Sequence, residues 1–401
     1  MKVLYPLFLL IDSYIMHHWT DTDRLVTTQV ATIATPQHPL PLESGAALKH
    51  VQLAYETYGT LNAEKSNAIL IFHALTADAH VAGKHHEHDT KTGWWDALFG
   101  EGLAFNPATD FIICANVLGG CKGSTGASSI NPETGTPWGM NFPLITVGDM
   151  VVAQKRLLAH LGVGKLKAVV GGSMGGFQAM DFALRYPDVV ERVVLVASSS
   201  KLSSQAIAFN AVARYAILND PNWNEGNYTP ETPPTVGLST ARMMAHITYL
   251  SEEALEAKFG RRLQAPAQGK TFDFQKEFAV ESYLEHQGKA FLKRFDANTY
   301  LYLTKVLDYF DIAETWGEGS LLKAFSRTNA RFLIASFTSD WRFPTSCSQA
   351  IAKTLRQLGK EVSFIELSST AGHDAFLLET EALNRIIAPF LHPITEESTT
   401  Q

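Results

Sequence analysis

The chain has 401 residues, 46% of them hydrophobic and 18% charged, with a formal net charge of −7. That length and apolar content suffice for a large buried core and fit one large α/β domain carrying an insertion or two smaller domains. The acidic balance and the lack of a long basic run exclude general attraction to nucleic-acid backbones or anionic lipid. Three scattered cysteines, Cys114, Cys121 and Cys347, exclude a disulfide framework and a C-x-x-C metal site.

In chain order, residues 1–40 are expected to form a poorly ordered extension. Val3 to Ile11 is apolar, but Asp12 interrupts the run and no clean cleavage site follows. It is also too short to span a bilayer, so neither a signal peptide nor a membrane anchor is expected. Patterned sequence begins near Leu42. β-Branched runs then mark strands at 51–58 (VQLAYETY), 68–73 (AILIFH), 111–117 (FIICANV), 166–170 (LKAVV), 192–197 (RVVLVA), 331–337 (RFLIASF) and 362–367 (VSFIEL). Helical patterns separate most of them, at 147–161, 175–186, 346–358 and 380–391. Such alternation predicts a mostly parallel sheet covered by helices on both faces. Between about 200 and 328 the strands stop, and helical stretches at 205–218, 239–258, 273–287 and 297–312 take their place, with a turn in TPETPP (229–234). The expected organisation is an α/β core at 41–200 and 329–401 with a helical lid at 201–328.

The chemistry centres on Gly171-Gly172-Ser173-Met174-Gly175, a G-x-S-x-G run after a predicted strand and before a predicted helix. This is the context of a nucleophile elbow, in which glycines let strand and helix cross beside a strained serine. A serine nucleophile needs a base, and the base needs an orienting acid. Asp340 in FTSDWRFP and His373 in TAGHDAFL each follow a later predicted strand, in the chain order that the α/β-hydrolase template requires. The first backbone N–H of the helix, Met174, and that of Leu75 in IFHALTAD are the candidate oxyanion donors.

His80, His85, His86 and His88 in HVAGKHHEH form a rival constellation. They lack the H-E-x-x-H spacing and read as a solvated polar loop, so no metal is expected. Nothing in the sequence resembles a phosphate-cradling glycine loop for a nucleotide.

Six separated stretches, among them NVLGGCKGSTGASSINPETG (116–135), GGSMGG (171–176), ARMMAHITYLSEEALEAKFGRRL (241–263) and RFDANTYLYLTKVLDYFD (294–311), with SDWRFP (339–344) and GHDAFL (372–377), resemble the homoserine O-acetyltransferase family. The resemblance spans roughly residues 38 to 392. It implies an α/β-hydrolase fold and a cytoplasmic, homodimeric enzyme of methionine biosynthesis with no permanently bound cofactor. It further implies ping-pong transfer of an acetyl group from acetyl-CoA through Ser173 to the hydroxyl of L-homoserine. By the same resemblance Arg242 grips the substrate carboxylate and Asp374 its ammonium group. A succinyl-CoA-dependent sister enzyme, a serine O-acetyltransferase and a plain serine esterase are the alternatives. In the resembling family a methionine after the serine, as at Met174, goes with acetyl-CoA more often than the leucine of succinyl users. Ala77, Ala127, Ala211 and Phe177 depart from the family pattern without touching the triad.

Overall fold

The computed structural model describes residues 24–265 and 269–393. Eight strands form the main sheet: β1 (Gln29–Ala34), β2 (Val51–Tyr58), β3 (Ala68–Phe72), β4 (Phe111–Ala115), β5 (Leu166–Gly172), β6 (Val190–Val196), β7 (Arg331–Phe337) and β8 (Val362–Leu367). Their spatial order is β1-β2-β4-β3-β5-β6-β7-β8, and only the β1–β2 and β2–β4 pairs are antiparallel. This is the mostly parallel sheet that the pattern predicts. Twelve α-helices accompany it among the described residues: α1 (Val147–His160), α2 (Met174–Arg185), α3 (Ser204–Leu218), α4 (Thr235–Tyr249), α5 (Glu252–Lys258), α6 (Ala279–Leu292), α7 (Ala297–Asp308), α8 (Ile312–Gly317), α9 (Leu321–Phe325), α10 (Thr345–Gln357), α11 (Ala375–Leu378) and α12 (Thr380–Leu391).

Successive side chains of a strand point to opposite faces, so a strand buried on both faces reads as an unbroken apolar run. In β3, Leu70 and Phe72 join the core beneath α1, α2 and α10. Ile69 and Ile71 join the opposite core, built with Trp95, Phe105 and the Leu383-Ile387-Leu391 stripe of α12. A third, smaller core binds the inserted helices to each other through Ile217, Leu238, Ala241, Phe291 and Tyr300.

The expectation of a poorly ordered segment through residue 40 is overturned where the structure describes it. Gln29–Ala34 lies antiparallel on β2 as an edge strand, burying only Ala31 and Ala34. Its exposed alternate residues gave it too little apolar character to stand out in the sequence. Val3 to Ile11 lies outside the described residues.

Two lid elements also differ from expectation. The helix expected at 239–258 is broken at Leu250, whose backbone is extended, and restarts where the Ser251 hydroxyl caps α5 by accepting from the Ala254 N–H. The helix expected at 273–287 begins at Ala279, where the Glu281 carboxylate takes the Glu277 and Phe278 N–H groups. Phe177, one of the family departures, stacks on Phe310 at 4.1 Å and meets Phe343 edge-on, so α2 stays fully packed.

Candidate active site

Parallel strands present their C-terminal ends at one edge of the sheet, and loops there converge. Ser173 follows β5, Asp340 follows β7 and His373 follows β8. Ser173 has φ 55° and ψ −123°, a strained conformation for a residue with a side chain. The elbow tolerates it because its flanks are bare: a Cβ on Gly171 would stand 2.1 Å from the Gly175 carbonyl, and one on Gly175 would stand 2.0 Å from the Phe72 oxygen. The turn is tied down by Ser173 N–H donating to Val196 O at 3.0 Å and by the Ser198 hydroxyl donating to Ser173 O at 3.0 Å.

The three side chains form one hydrogen-bonded chain. His373 Nδ1 donates to Asp340 Oδ2 at 2.8 Å, which leaves Nε2 to accept from the Ser173 hydroxyl at 2.9 Å. Asp340 is buried, and its Oδ1 accepts the Arg342 and Phe343 N–H groups at 3.0 and 2.9 Å. The acid is therefore oriented from behind, as a carboxylate that fixes an imidazole tautomer must be. Phe343, Phe376 and Tyr249 surround the imidazole, with ring centroids 5.2 to 6.0 Å away.

A pocket of about 420 Å³ opens over this chain. Leu75 and Met174 both line it. Met174 heads α2, so its N–H belongs to the first-turn donors that have no partner within the helix.

Arg242, on α4, is buried, and neither its Nε nor its Nη1 has a hydrogen-bond partner among the described residues. Its guanidinium lies 4.7 Å from the Phe291 ring centroid and 5.7 Å from that of Tyr249. Arg242 also lines the pocket, and a buried cation at a pocket wall is an arrangement suited to an anionic ligand group. Asp374 lines the same pocket; burial raises its carboxyl above the usual range, opposed by the charges of His373 and Arg242. His246, one turn beyond Arg242, is held down to about 3 by burial and by the charges of Arg242, Arg294 and Lys258. It is thus a neutral neighbour of that guanidinium at physiological pH.

The structure adds residues that sequence reasoning missed. Arg294 and Arg342 line the pocket, and Arg294 reaches across from the lid to donate to Thr76 O at 2.9 Å in the loop that carries Leu75. Both lie in stretches already singled out, RFDANTY and SDWRFP, yet only the fold brings them to Ser173. The histidine loop is not simply solvated either. His80 and His85 converge on Glu56, while His86 and His88 are exposed.

A family profile described as alpha/beta hydrolase fold matches residues 67–380. A homoserine O-acetyltransferase of Solidesulfovibrio magneticus is 50% identical over 380 residues, covering 94% of this chain and 96% of its own. A homoserine O-succinyltransferase of Acidithiobacillus ferrooxidans is 48% identical over 378 residues, covering 94% and 97%. Among solved structures, homoserine O-acetyltransferase from Bacillus anthracis superposes with a TM-score of 0.84 at 31% identity, covering 92% of this chain and 98% of its own. Esterase E22 superposes at 0.83 with 30% identity, covering 92% and 100%.

Proposed function

Because the chain belongs to the homoserine O-acetyltransferase family of the alpha/beta hydrolase fold, we propose that it works by two-step acyl transfer through Ser173. The enzyme moves an acetyl group to the hydroxyl of L-homoserine, a step of methionine biosynthesis. In the first half-reaction Ser173 Oγ attacks the thioester carbonyl of acetyl-CoA as its proton passes to His373 Nε2. The oxyanion is received by the N–H groups of Leu75 and Met174. Collapse breaks the C–S bond, and His373 returns the proton to the departing thiolate. In the second half-reaction the homoserine hydroxyl gives its proton to His373 and attacks the acetyl-serine. Collapse then releases O-acetylhomoserine and restores the Ser173 hydroxyl. Arg242 holds the acceptor's carboxylate and Asp374 its ammonium group. None of these steps calls for a permanently bound cofactor.

The observation that supports this reading most strongly is the hydrogen-bonded Ser173-His373-Asp340 chain, whose serine and histidine line one pocket with the buried cation Arg242. A triad alone serves hydrolysis as well, and an amino-acid grip in the lid is what favours an acceptor other than water. The test is thiol release from acetyl-CoA with and without homoserine. Transfer requires homoserine-dependent release with O-acetylhomoserine as product, whereas equal release without homoserine identifies an esterase. Ser173→Ala is expected to lose on the order of 10⁴-fold or more in turnover while unfolding at the parent temperature.

A succinyl donor is the second reading, and one observation favours it. A succinyl group brings a second carboxylate that needs a cationic partner, and Arg294 and Arg342 stand in the pocket. Lys122 is exposed and outside the pocket lining. Direct competition decides: a higher kcat/KM for succinyl-CoA than for acetyl-CoA assigns the succinyl donor, and Arg294→Ala is then the variant expected to lose it.

We also assign the enzyme to the cytoplasm and to a homodimer formed through the lid, with small-molecule substrates as its other partners. No helix among the described residues is long and apolar enough to cross a membrane.

A further inference from the structure

The loop that carries Leu75 continues into a polar cluster that acyl transfer does not use. Glu56, on β2, is fully buried, and its two carboxylate oxygens gather four donors. His80 Nδ1 at 3.0 Å and the Tyr58 hydroxyl at 2.6 Å meet Oε2, while His85 Nε2 and the Thr28 hydroxyl, both at 2.8 Å, meet Oε1. One ligand atom from each of Glu56, His80 and His85 lies within 4.8 Å of the other two. We propose that Glu56, His80 and His85 bind one divalent transition-metal ion of the Zn²⁺ class, which fastens the loop over residues 73–95 to β2.

Two imidazole nitrogens and one carboxylate oxygen form a donor set that such an ion accepts, with water completing a tetrahedron. Oxygen-preferring Mg²⁺ and Ca²⁺ are poorly matched to two imidazoles. The surroundings are those of a metal ligand shell. Tyr58 and Thr28 hold the carboxylate from behind. Asp78, whose carboxylate accepts the His80 backbone N–H at 3.1 Å, adds negative charge at the same place.

The proton balance follows from these contacts. Glu56 is ionised: burial pushes it up, but the bonds from His80, Tyr58, His85 and Thr28 outweigh burial and hold it at about 2. An ion entering the cluster displaces the proton on His80 Nδ1 and moves that of His85 from Nε2 to Nδ1. Protons compete with the ion for the imidazole nitrogens, so binding tightens as pH rises. Bonds of about 2.1 Å place tetrahedral donors roughly 3.4 Å apart, so the three donor atoms, now within 4.8 Å of one another, shift to meet the ion. His85, with 40% of its side chain exposed, can supply that movement.

The sequence hid this site because its third ligand lies 24 residues before His80, on a strand. The test is calorimetric titration of untagged, chelator-treated protein with Zn²⁺ at pH 7.5 and 6.0, together with the visible spectrum of the Co²⁺ form. Expected are one ion per chain, weaker binding at pH 6.0, a tetrahedral Co²⁺ absorption and a higher unfolding temperature with metal. His85→Ala should weaken binding at least about 100-fold, more than loss of an outer partner does. His86→Ala, an exposed neighbour outside the cluster, should bind as the parent does. Absence of saturable binding by the parent protein, or equal binding by parent and His85→Ala, overturns the proposal.

Discussion

Arg242 and Asp374 line one pocket, yet the folded protein treats them differently. Arg242 keeps Nε and Nη1 without a partner among the described residues, so its removal costs the fold few hydrogen bonds and, in the proposed reaction, costs the acceptor its carboxylate partner. At about 1.5–3 kcal/mol per charged hydrogen bond, two lost contacts correspond to a fall on the order of 10²- to 10⁴-fold in kcat/KM for homoserine. Arg242→Met is therefore expected to show that loss while still releasing a stoichiometric burst of thiol from acetyl-CoA, measured by rapid mixing. Asp374 carries the opposite balance. Burial raises its folded-state pKa, so its ionised form disfavours folding. That cost is absent below the unfolded-state pKa and grows as pH rises through the folded one. Asp374→Asn should accordingly unfold a few degrees higher at pH 7, with no gain at pH 3, while its use of homoserine collapses. Calorimetry at the two pH values checks the sign. At this scale the triad was legible in sequence, because an elbow motif and two strand-end residues have fixed places in the template. Glu56 was not, because its partners are fixed by contact between a strand and a loop and by no local spacing.

Among the elements, the interrupted lid helix illustrates how a local break serves a distant loop. The chain departs from helix at Leu250 and re-enters it at Ser251, and the freed backbone lies against Gly372. A Cβ on Gly372 would stand 2.5 Å from the Ser251 nitrogen and 2.7 Å from the Tyr249 oxygen, and Gly372 itself has φ 71°. Trp341 Nε1 locks the break by donating to Leu250 O at 2.9 Å. The lid thus seats the residue next to His373 and the residue next to Asp340 together. Gly372→Ala is expected to lower kcat on the order of 10²-fold by displacing the imidazole, with the KM values little changed, and steady-state kinetics separates the two. The helix pattern at 239–258 gave no sign of this break, since Leu250 and Ser251 are compatible with either conformation and the docking partner lies far along the chain. The inner strands, in contrast, were legible almost to the residue, because burial on both faces leaves a continuous apolar run. The edge strand β1 escaped notice for the converse reason, as only two of its six residues are buried.

At the scale of the whole molecule, the outer face of the lid remains unmatched. Val212, Tyr215 and Leu218 on α3, with Val236 and Ile247 on α4, are large, apolar and exposed. Light scattering is expected to give twice the chain mass of 44.1 kDa at micromolar concentration. Tyr215→Glu combined with Val236→Glu should yield a monomer, and a parent protein already monomeric would refute the assembly. Sequence pattern made the parallel sheet and the inserted helices visible, but which helix faces stay uncovered emerges only once α3, α4 and α6 are packed.

The insertion between β6 and β7 also sets an order of events during synthesis. Ser173 precedes His373 by 200 residues, and His373 follows β8, which pairs only with β7 at the rim of the sheet. At roughly 5–20 residues per second, the ribosome completes the elbow about 10 to 40 s before it delivers the base. Throughout that interval the growing polypeptide carries Ser173 without His373, so the docking of one rim strand is the moment at which their hydrogen bond can form.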